Sequence, residues 1–128
     1  MPPTQVFFFQ DERGIPVRSW LQELQQIDKR VYAKCVARIR LLAQLGHELR
    51  RPLADYLEED IYELRIRRGR VNYRILYFFY GRNTAILTHG LVKEDMIPQA
   101  DLTRAIKRKE AFLEDPEKHT YEESISHA

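Results

Sequence analysis

Arginines at alternate positions of a predicted strand are the residues of this chain best suited to chemistry. Arg65 and Arg67 share a parity within Ile61–Arg67, so both side chains project from the same face of that strand. Arg74 lies on the next predicted strand, where an antiparallel neighbour places it opposite or diagonal to them. Guanidinium groups this close repel one another and bind phosphate or carboxylate well, which favours an anion-binding face. Solvated arginines on an exposed sheet face are the alternative interpretation.

His89 and Lys93 extend this candidate site. Lys93 closes the third predicted strand, and His89 shares its parity about 13 Å away along the extended chain. His89 is the only histidine inside the three strands, so it is the available acid or base near neutral pH, with a structural hydrogen-bonded histidine as the alternative. Glu63 is predicted to be either a general base or the ion-pair partner of Arg65 or Arg74.

Further basic side chains lie outside the strands. Lys34 and Arg38 continue an i, i+4 row from Arg30 on a predicted helix, and Arg50 and Arg51 stand in the segment that follows it. This row indicates either a phosphate-facing surface or the solvated side of an amphipathic helix.

The strands that position these residues form a predicted meander over Ile61–Lys93. Arg68-Gly69-Arg70 and Gly81-Arg82-Asn83 supply the two turns, since glycine accepts the positive φ that tight turns require. Seven Arg and Lys residues against the single Glu63 give this stretch a formal charge of +6, while the whole chain carries only +2. The positive charge is therefore local. The tyrosines of the second strand are predicted to be core residues rather than base-stacking ones.

The rest of the chain predicts one strand and three helices around the meander. They are the strand Gln5–Phe9, a helix opened by Pro16, a helix over about Asp28–Leu45 that stops at Gly46, a loop over His47–Asp60, and a last helix opened by Ile97-Pro98. The order β-α-α-β-β-β-α predicts an α+β fold with a small antiparallel sheet and helices mainly on one face.

Residues 1–115 are predicted to form one domain, and residues 116–128 a flexible acidic tail. Cys35 stands alone on an apolar helix stripe and is predicted to pack there, so neither an internal disulfide nor a structural zinc site is expected. No nucleotide-binding, serine-hydrolase or metalloprotease motif occurs, and no cofactor is expected. The longest apolar run, Ile75–Tyr80, is far shorter than the roughly 20 residues that span a bilayer, so a cytoplasmic protein without a membrane partner is expected.

Four stretches of the chain together resemble a known family. IPVRSWLQEL, YELRIRRGRVNYRILYF, LTHGLVKE and IPQADLTRAIKR occur in this order over nearly the whole chain. They are similar to the phage-derived, HigB-like branch of the RelE/ParE superfamily, whose members are toxins of type II toxin–antitoxin systems. The RelE-like fold that this resemblance implies is the β-α-α-β-β-β-α order predicted above.

The resemblance implies a metal-independent endoribonuclease, an mRNA interferase that enters the ribosomal A site. In that reaction the ribose 2′-OH attacks the adjacent phosphate. Arg65, Arg74 and Lys93 match the family's basic motif positions, and strand parity adds Arg67. Lys34, Arg38, Arg50 and Arg51 become candidates for contact with ribosomal RNA, beside mRNA itself, and an antitoxin with a helix-turn-helix domain is the implied protein partner.

Departures from the family pattern keep a second function open. Glu94 and Asp95 follow Lys93 where the family has a further lysine, and Ile97-Pro98 replaces a Thr-Pro that would cap the last helix. The acidic tail is also long, which suggests that it shields the basic patch. A non-enzymatic module of the same fold, either a degenerate toxin acting as corepressor or a ParE-like gyrase inhibitor, is the alternative. The +6 meander argues against the gyrase inhibitor.

Overall fold

The computed structural model describes residues 3–92 and 96–123 and has the α+β architecture that the sequence predicts. Its elements are β1 (Gln5–Phe9), α1 (Pro16–Ile27), α2 (Lys29–Leu45), a 3-10 turn (Gly46–Glu48), β2 (Ala54–Glu58), β3 (Ile61–Arg68), β4 (Val71–Tyr80), β5 (Thr84–Val92), α3 (Gln99–Glu114) and β6 (Thr120–Tyr121). No helix among the described residues is long and apolar enough to cross a membrane.

One six-stranded sheet organises the domain, in the order β2-β3-β4-β5-β1-β6. The predicted meander is confirmed, since β3, β4 and β5 pair in antiparallel fashion. The first strand joins the same sheet, but it pairs with β5 in parallel. This parallel pair follows from the chain path, because α1, α2 and the meander together carry the chain between β1 and β5.

Two strands were missed by the sequence analysis. β2 lies inside the segment predicted to be a loop, where the strand ADYLE is framed by charged residues. β6 is only two residues long and pairs with Phe8 and Phe9 of β1. Both are edge strands, and such short, polar segments carry little of the apolar alternation from which strands are predicted.

Helices α1 and α2 cover one face of the sheet. Asp28 begins α2 by accepting hydrogen bonds from the N–H groups of Arg30 and Val31. Val31, Cys35, Ile39 and Leu42 of α2 are all buried, as their spacing predicts. The ends of the predicted stripe differ: Ile27 is 79% exposed because it is the last residue of α1, and Leu45 in the final turn of α2 is also exposed.

Helix α3 covers the other face. Leu102, Ala105 and Phe112 pack there against buried side chains of the sheet, and the Phe112 ring meets Phe78 at 5.2 Å in an edge-on contact. No side chain caps its N-terminus at Pro98, which agrees with the absence of a Thr-Pro start. Two of the three helices therefore share a face, and the third shares the opposite face with the arginines described below.

The segment after α3 packs against β1 as far as residue 123. His119 stacks on Phe9 with ring centroids 5.2 Å apart, Tyr121 contacts Phe8, and Glu123 forms an ion pair with Arg18 at 3.1 Å. These contacts lie within the stretch for which the sequence predicts a flexible tail, and its flexibility stays a prediction. Residues 124–128 lie outside the described part.

Candidate functional site

Arg65 and Arg74 face each other across the β3–β4 pair, in direct register. Arg67 is two residues further along β3 and is opposite Asn72. The three arginines lie on the face that α3 covers in part, because the apolar residues of β3 that alternate with them, Leu64 and Ile66, are buried against α1 and α2. The predicted convergence of Arg65 and Arg74 is therefore present.

A buried carboxylate lies between the two arginines. Glu63 is 2% exposed, one of its oxygens accepts from Arg74, and the other lies 3.0 Å from NH2 of Arg65. Asp55 of β2 approaches the same Arg65 nitrogen at 3.2 Å and pairs with Arg51 at 2.9 Å. Five side chains thus alternate in charge, and Glu63 is the partner of both arginines rather than of one.

This pairing changes how the anion-binding face is interpreted. The mutual repulsion of Arg65 and Arg74, which suggested an external anion, is relieved inside the chain by Glu63 and Asp55. The arginines are also held in place: the side chain of Arg65 is 34% exposed and that of Arg74 is 13% exposed. Nε of Arg74 is buried and has no hydrogen-bond partner among the described residues.

Both arginines border an open cleft of about 600 Å³, here called the meander cleft. Asp55, Glu58 and Glu63 line it beside the two arginines, and Ile97, Gln99 and Leu102 close its other side. Its charged lining therefore consists of three carboxylates and the two guanidinium groups.

His89 does not border this cleft. It lies on β5 under α3 and is 8% exposed, with Nε2 at 2.6 Å from Oδ1 of Asp101 and Nδ1 at 3.2 Å from NH1 of Arg108. An arginine nitrogen can only donate, so Nδ1 accepts and Nε2 donates to Asp101, which makes the ring neutral. Burial lowers the pKa of His89, with Arg108 and Arg104 acting in the same direction and Asp101 opposing them. The structure thus agrees with the structural alternative for this histidine.

Lys34 and Arg38 face the sheet rather than solvent alone. Lys34 donates to the carbonyl oxygen of Arg67 at 3.1 Å, and Arg38 donates to that of Arg65. The pairing of β2 with β3 ends at Ala54, so these two carbonyl groups have no strand beside them. Burial lowers the pKa of Arg38. The basic row of α2 therefore supplies the hydrogen bonds that a longer β2 would make.

The remaining predicted site residues are dispersed. Arg50 and Arg51 are exposed on the segment before β2, and Arg67 is exposed with Nε donating to the carbonyl oxygen of Gly69 at 2.9 Å. Lys93 lies outside the described residues. Sequence reasoning missed Asp55 because it missed β2, although the i, i+4 spacing of Arg51 and Asp55 is visible in the sequence.

No group of three or more His, Cys, Asp or Glu side chains within residues 3–92 and 96–123 is placed to hold a metal ion.

No curated protein matches the chain. The family model described as "Phage derived protein Gp49-like" matches residues 22–110, more than two thirds of the chain, and that family belongs to the RelE/ParE-like toxin superfamily. The match covers both walls of the meander cleft, including the arginine pair and most of α3. The chain therefore belongs to the phage-derived Gp49-like family.

Proposed function

We propose that this protein is the toxin of a HigB-like type II toxin–antitoxin pair and cleaves mRNA on the ribosome. The observation that carries the proposal is the cross-strand pair of Arg65 and Arg74 at the edge of an open cleft, fixed by the buried Glu63. Two guanidinium groups held a few ångströms apart suit the oxygens of one phosphodiester. Family membership supports the same class of function.

In the proposed reaction the ribose 2′-OH gives its proton to water and attacks the adjacent phosphorus. The bond from phosphorus to the 5′ oxygen of the next nucleotide breaks, and that oxygen takes up a proton from water, which leaves a 2′,3′-cyclic phosphate and a free 5′-OH. Negative charge grows on the non-bridging oxygens as the phosphorus becomes five-coordinate. Arg74 and the more exposed Arg65 donate hydrogen bonds to those oxygens. Donors already oriented before the charge develops are the most effective, because little reorganisation accompanies the chemical step.

Glu63 is proposed to be the positioning residue of the site. Its carboxylate contacts both guanidinium groups and engages only part of each, so N–H groups that neither Glu63 nor Asp55 holds are proposed to bind the substrate. Asp55 holds Arg65 from the side of β2. A phosphate that enters the cleft must replace part of the pairing of the arginines with Glu63 and Asp55. These two carboxylates therefore compete with the phosphate and lower its affinity for the arginines.

Exposed cations near the cleft are proposed to contact ribosomal RNA. Arg50, Arg51 and Arg67 fit this role because their side chains reach solvent, whereas Lys34 and Arg38 are engaged with β3. Lys93 is proposed to join the phosphate grip on the strength of its motif position. His89 is proposed to hold α3 on the sheet. A helix-turn-helix antitoxin is the proposed partner, and the cytoplasm, where ribosomes translate, is the proposed location.

The test is inducible expression in bacteria, with growth and primer-extension mapping of cellular mRNA followed together. Arrested growth with cuts inside translated codons is the expected result. Arrested growth without cuts would contradict the interferase and point to another target, such as gyrase.

A non-enzymatic role is the second candidate, and the internal neutralisation of the arginine pair favours it. A degenerate toxin that survives as a corepressor needs the fold and the antitoxin surface but no open phosphate site. Normal growth at confirmed expression, together with antitoxin binding by the purified chain, would support this candidate and remove the interferase.

A further inference from the structure

A second cleft, of about 1010 Å³ and lined mainly by cations among its charged residues, lies between α3 and the turn that joins β1 to α1. We call it the α3 cleft. Its cations are Arg13 from the turn and Arg104, Lys107 and Arg108 from α3, and its single carboxylate is Asp11. No local pattern in the sequence joins these residues, because Arg13 is more than 90 positions from the three cations of α3 and meets them only in the folded chain.

The cations of the α3 cleft are not neutralised as those of the meander cleft are. Arg13, Arg104 and Lys107 are exposed and form no ion pair with another described residue. The carboxylate of Asp11 accepts from the backbone N–H of Arg13 at 2.9 Å. Net positive charge therefore faces the cleft.

Arg108 connects this charge to the body of the protein. Its NH1 donates to the carbonyl oxygen of Thr88 at 2.6 Å, and its guanidinium group lies 6.0 Å from the centre of the Phe9 ring. Burial lowers the pKa of Arg108, Asp11 opposes that change, and Arg104 and Arg13 reinforce it. The three arginines thus act on one another electrostatically, as expected where an anion binds between them.

The two clefts meet at the first turn of α3. Gln99 lines both of them, so a single extended ligand can pass from Arg74 over Gln99 to Arg104. Arg104 and Lys107 are three residues, or about 4.5 Å, apart along the axis of α3 and present successive charges to such a ligand. Ile15 and Pro16 add half-buried apolar surface beside them, which suits sugars and bases.

We propose that the α3 cleft binds the phosphate backbone of a single-stranded RNA whose scissile phosphate lies in the meander cleft. This proposal rests on the proposed function, since it extends the path of the same strand. Continuity with the meander cleft at Gln99 favours RNA over an acidic protein segment, because one strand can then occupy both clefts.

The test measures binding of a fluorescent single-stranded 2′-O-methyl RNA, which lacks the attacking hydroxyl and so reports binding without cleavage. Arg104→Gln/Lys107→Gln is compared with Lys29→Gln/Arg82→Gln, which removes the same charge from exposed positions elsewhere. The α3 variant is expected to bind about tenfold more weakly, and the slope of log affinity against log salt to fall by about 1.4, the value for two lost phosphate contacts on a single strand. The control is expected to change both by less than half as much.

Equal losses in the two variants, or no loss in either, would overturn the proposal. Retained RNA binding with lost binding of a fluorescent polyglutamate would overturn it in favour of an acidic protein segment. Failure of the proposed function is recognised separately: a chain that binds this RNA through α3 but leaves mRNA on ribosomes uncut contradicts the interferase alone.

Discussion

The meander cleft and the α3 cleft use arginine in opposite ways. In the meander cleft, Arg65 and Arg74 are partly buried and held by Glu63 and Asp55, so their charge is largely balanced within the chain. In the α3 cleft, Arg104 and Lys107 are exposed without ion-pair partners among the described residues. Fixed, balanced cations suit catalysis, and exposed, unbalanced ones suit affinity for a polyanion.

This difference shows why charge alone is a poor guide to a catalytic site. The meander has a formal charge of +6 in a chain of net +2, yet Arg65 and Arg74 at its centre are paired with Glu63 and Asp55. Two properties distinguish an arginine that is held in a fixed orientation from one that attracts a polyanion. They are the exposed fraction of its guanidinium group and the identity of its partners.

Arg74→Ala is expected to lower the rate of ribosome-dependent mRNA cleavage by at least about 100-fold, because it removes a preoriented donor to the developing phosphorane charge. Single-turnover cleavage of mRNA on purified ribosomes measures this rate. The variant also deprives the buried Glu63 of one partner, so its folding must be checked by circular dichroism.

Glu63→Gln/Arg74→Ala is the matched control for that loss of folding. Removing the carboxylate together with its partner leaves no unpaired buried anion, so the double variant is expected to be more stable than Arg74→Ala and equally inactive. Cleavage by the well-folded double variant at the wild-type rate would remove Arg74 from the reaction.

Glu63→Gln alone is expected to lower the free energy of unfolding by about 3 kcal/mol, because both arginines lose their shared buried anion. Urea unfolding measures it. Glu58→Gln removes an exposed acid that lines the same cleft and serves as the control. It is expected to lower the free energy of unfolding by less than about 0.5 kcal/mol. A Glu63→Gln protein as stable as the wild type would mean that Glu63 does not hold the site together.

Arg104→Gln/Lys107→Gln is expected to change the free energy of unfolding by less than about 0.5 kcal/mol, although it weakens RNA binding. The two side chains are exposed and unpaired within residues 3–92 and 96–123, so folding does not depend on them. Urea unfolding of this variant and of Glu63→Gln under the same conditions compares their free energies of unfolding directly. A loss of stability similar to that of Glu63→Gln would erase the distinction between the two clefts.

His89 is expected to make a small pH-dependent contribution to stability. Its pKa is lowered in the folded protein, so the unfolded chain binds the proton first as the pH falls below about 6.5. Stability should therefore decrease from that pH down to the lower pKa of the folded ring. Urea unfolding at pH 7.5 and pH 5.0 is expected to show a larger loss in the wild type than in His89→Gln.

His47→Gln, a change at an exposed histidine, is the control for that measurement and should keep the pH dependence of the wild type. An identical loss in the wild type and in His89→Gln would show that His89 is not the group responsible.

Much of the fold was predictable because it depends on local pattern. Apolar spacing gave the three helices within a few residues, and alternation with glycine turns gave β3, β4 and β5. The parallel pairing of β1 and the edge strands β2 and β6 depend on long-range contacts that no local pattern reveals. One example is Nε2 of Gln10, which donates hydrogen bonds to the carbonyl oxygens of Lys118 and Thr120.

The candidate site was likewise predictable only where it depends on local pattern. Strand parity predicted Arg74 opposite or diagonal to Arg65 and Arg67, and the direct register of Arg65 with Arg74 is seen only in the structure. Parity also left open whether Glu63 was a base or a partner. Asp55 of β2 supplies a carboxylate that pairs with Arg65 and so reduces the positive charge of that face. The five residues of β2 show no regular alternation of apolar and polar side chains, so the strand was not recognised from the sequence. His89 shows a similar limit, since its burial follows from the way α3 crosses β5 and not from the residues around it in sequence.

The most direct test of the account is single-turnover cleavage of mRNA on ribosomes as a function of toxin concentration, for the wild type, Glu63→Gln/Arg74→Ala and Arg104→Gln/Lys107→Gln. The account predicts that the first variant loses the saturating rate, while the second keeps that rate and needs a higher concentration to reach it. A second variant that loses the saturating rate as the first does, or a first variant that cleaves normally, would contradict the division between a catalytic and a binding cleft.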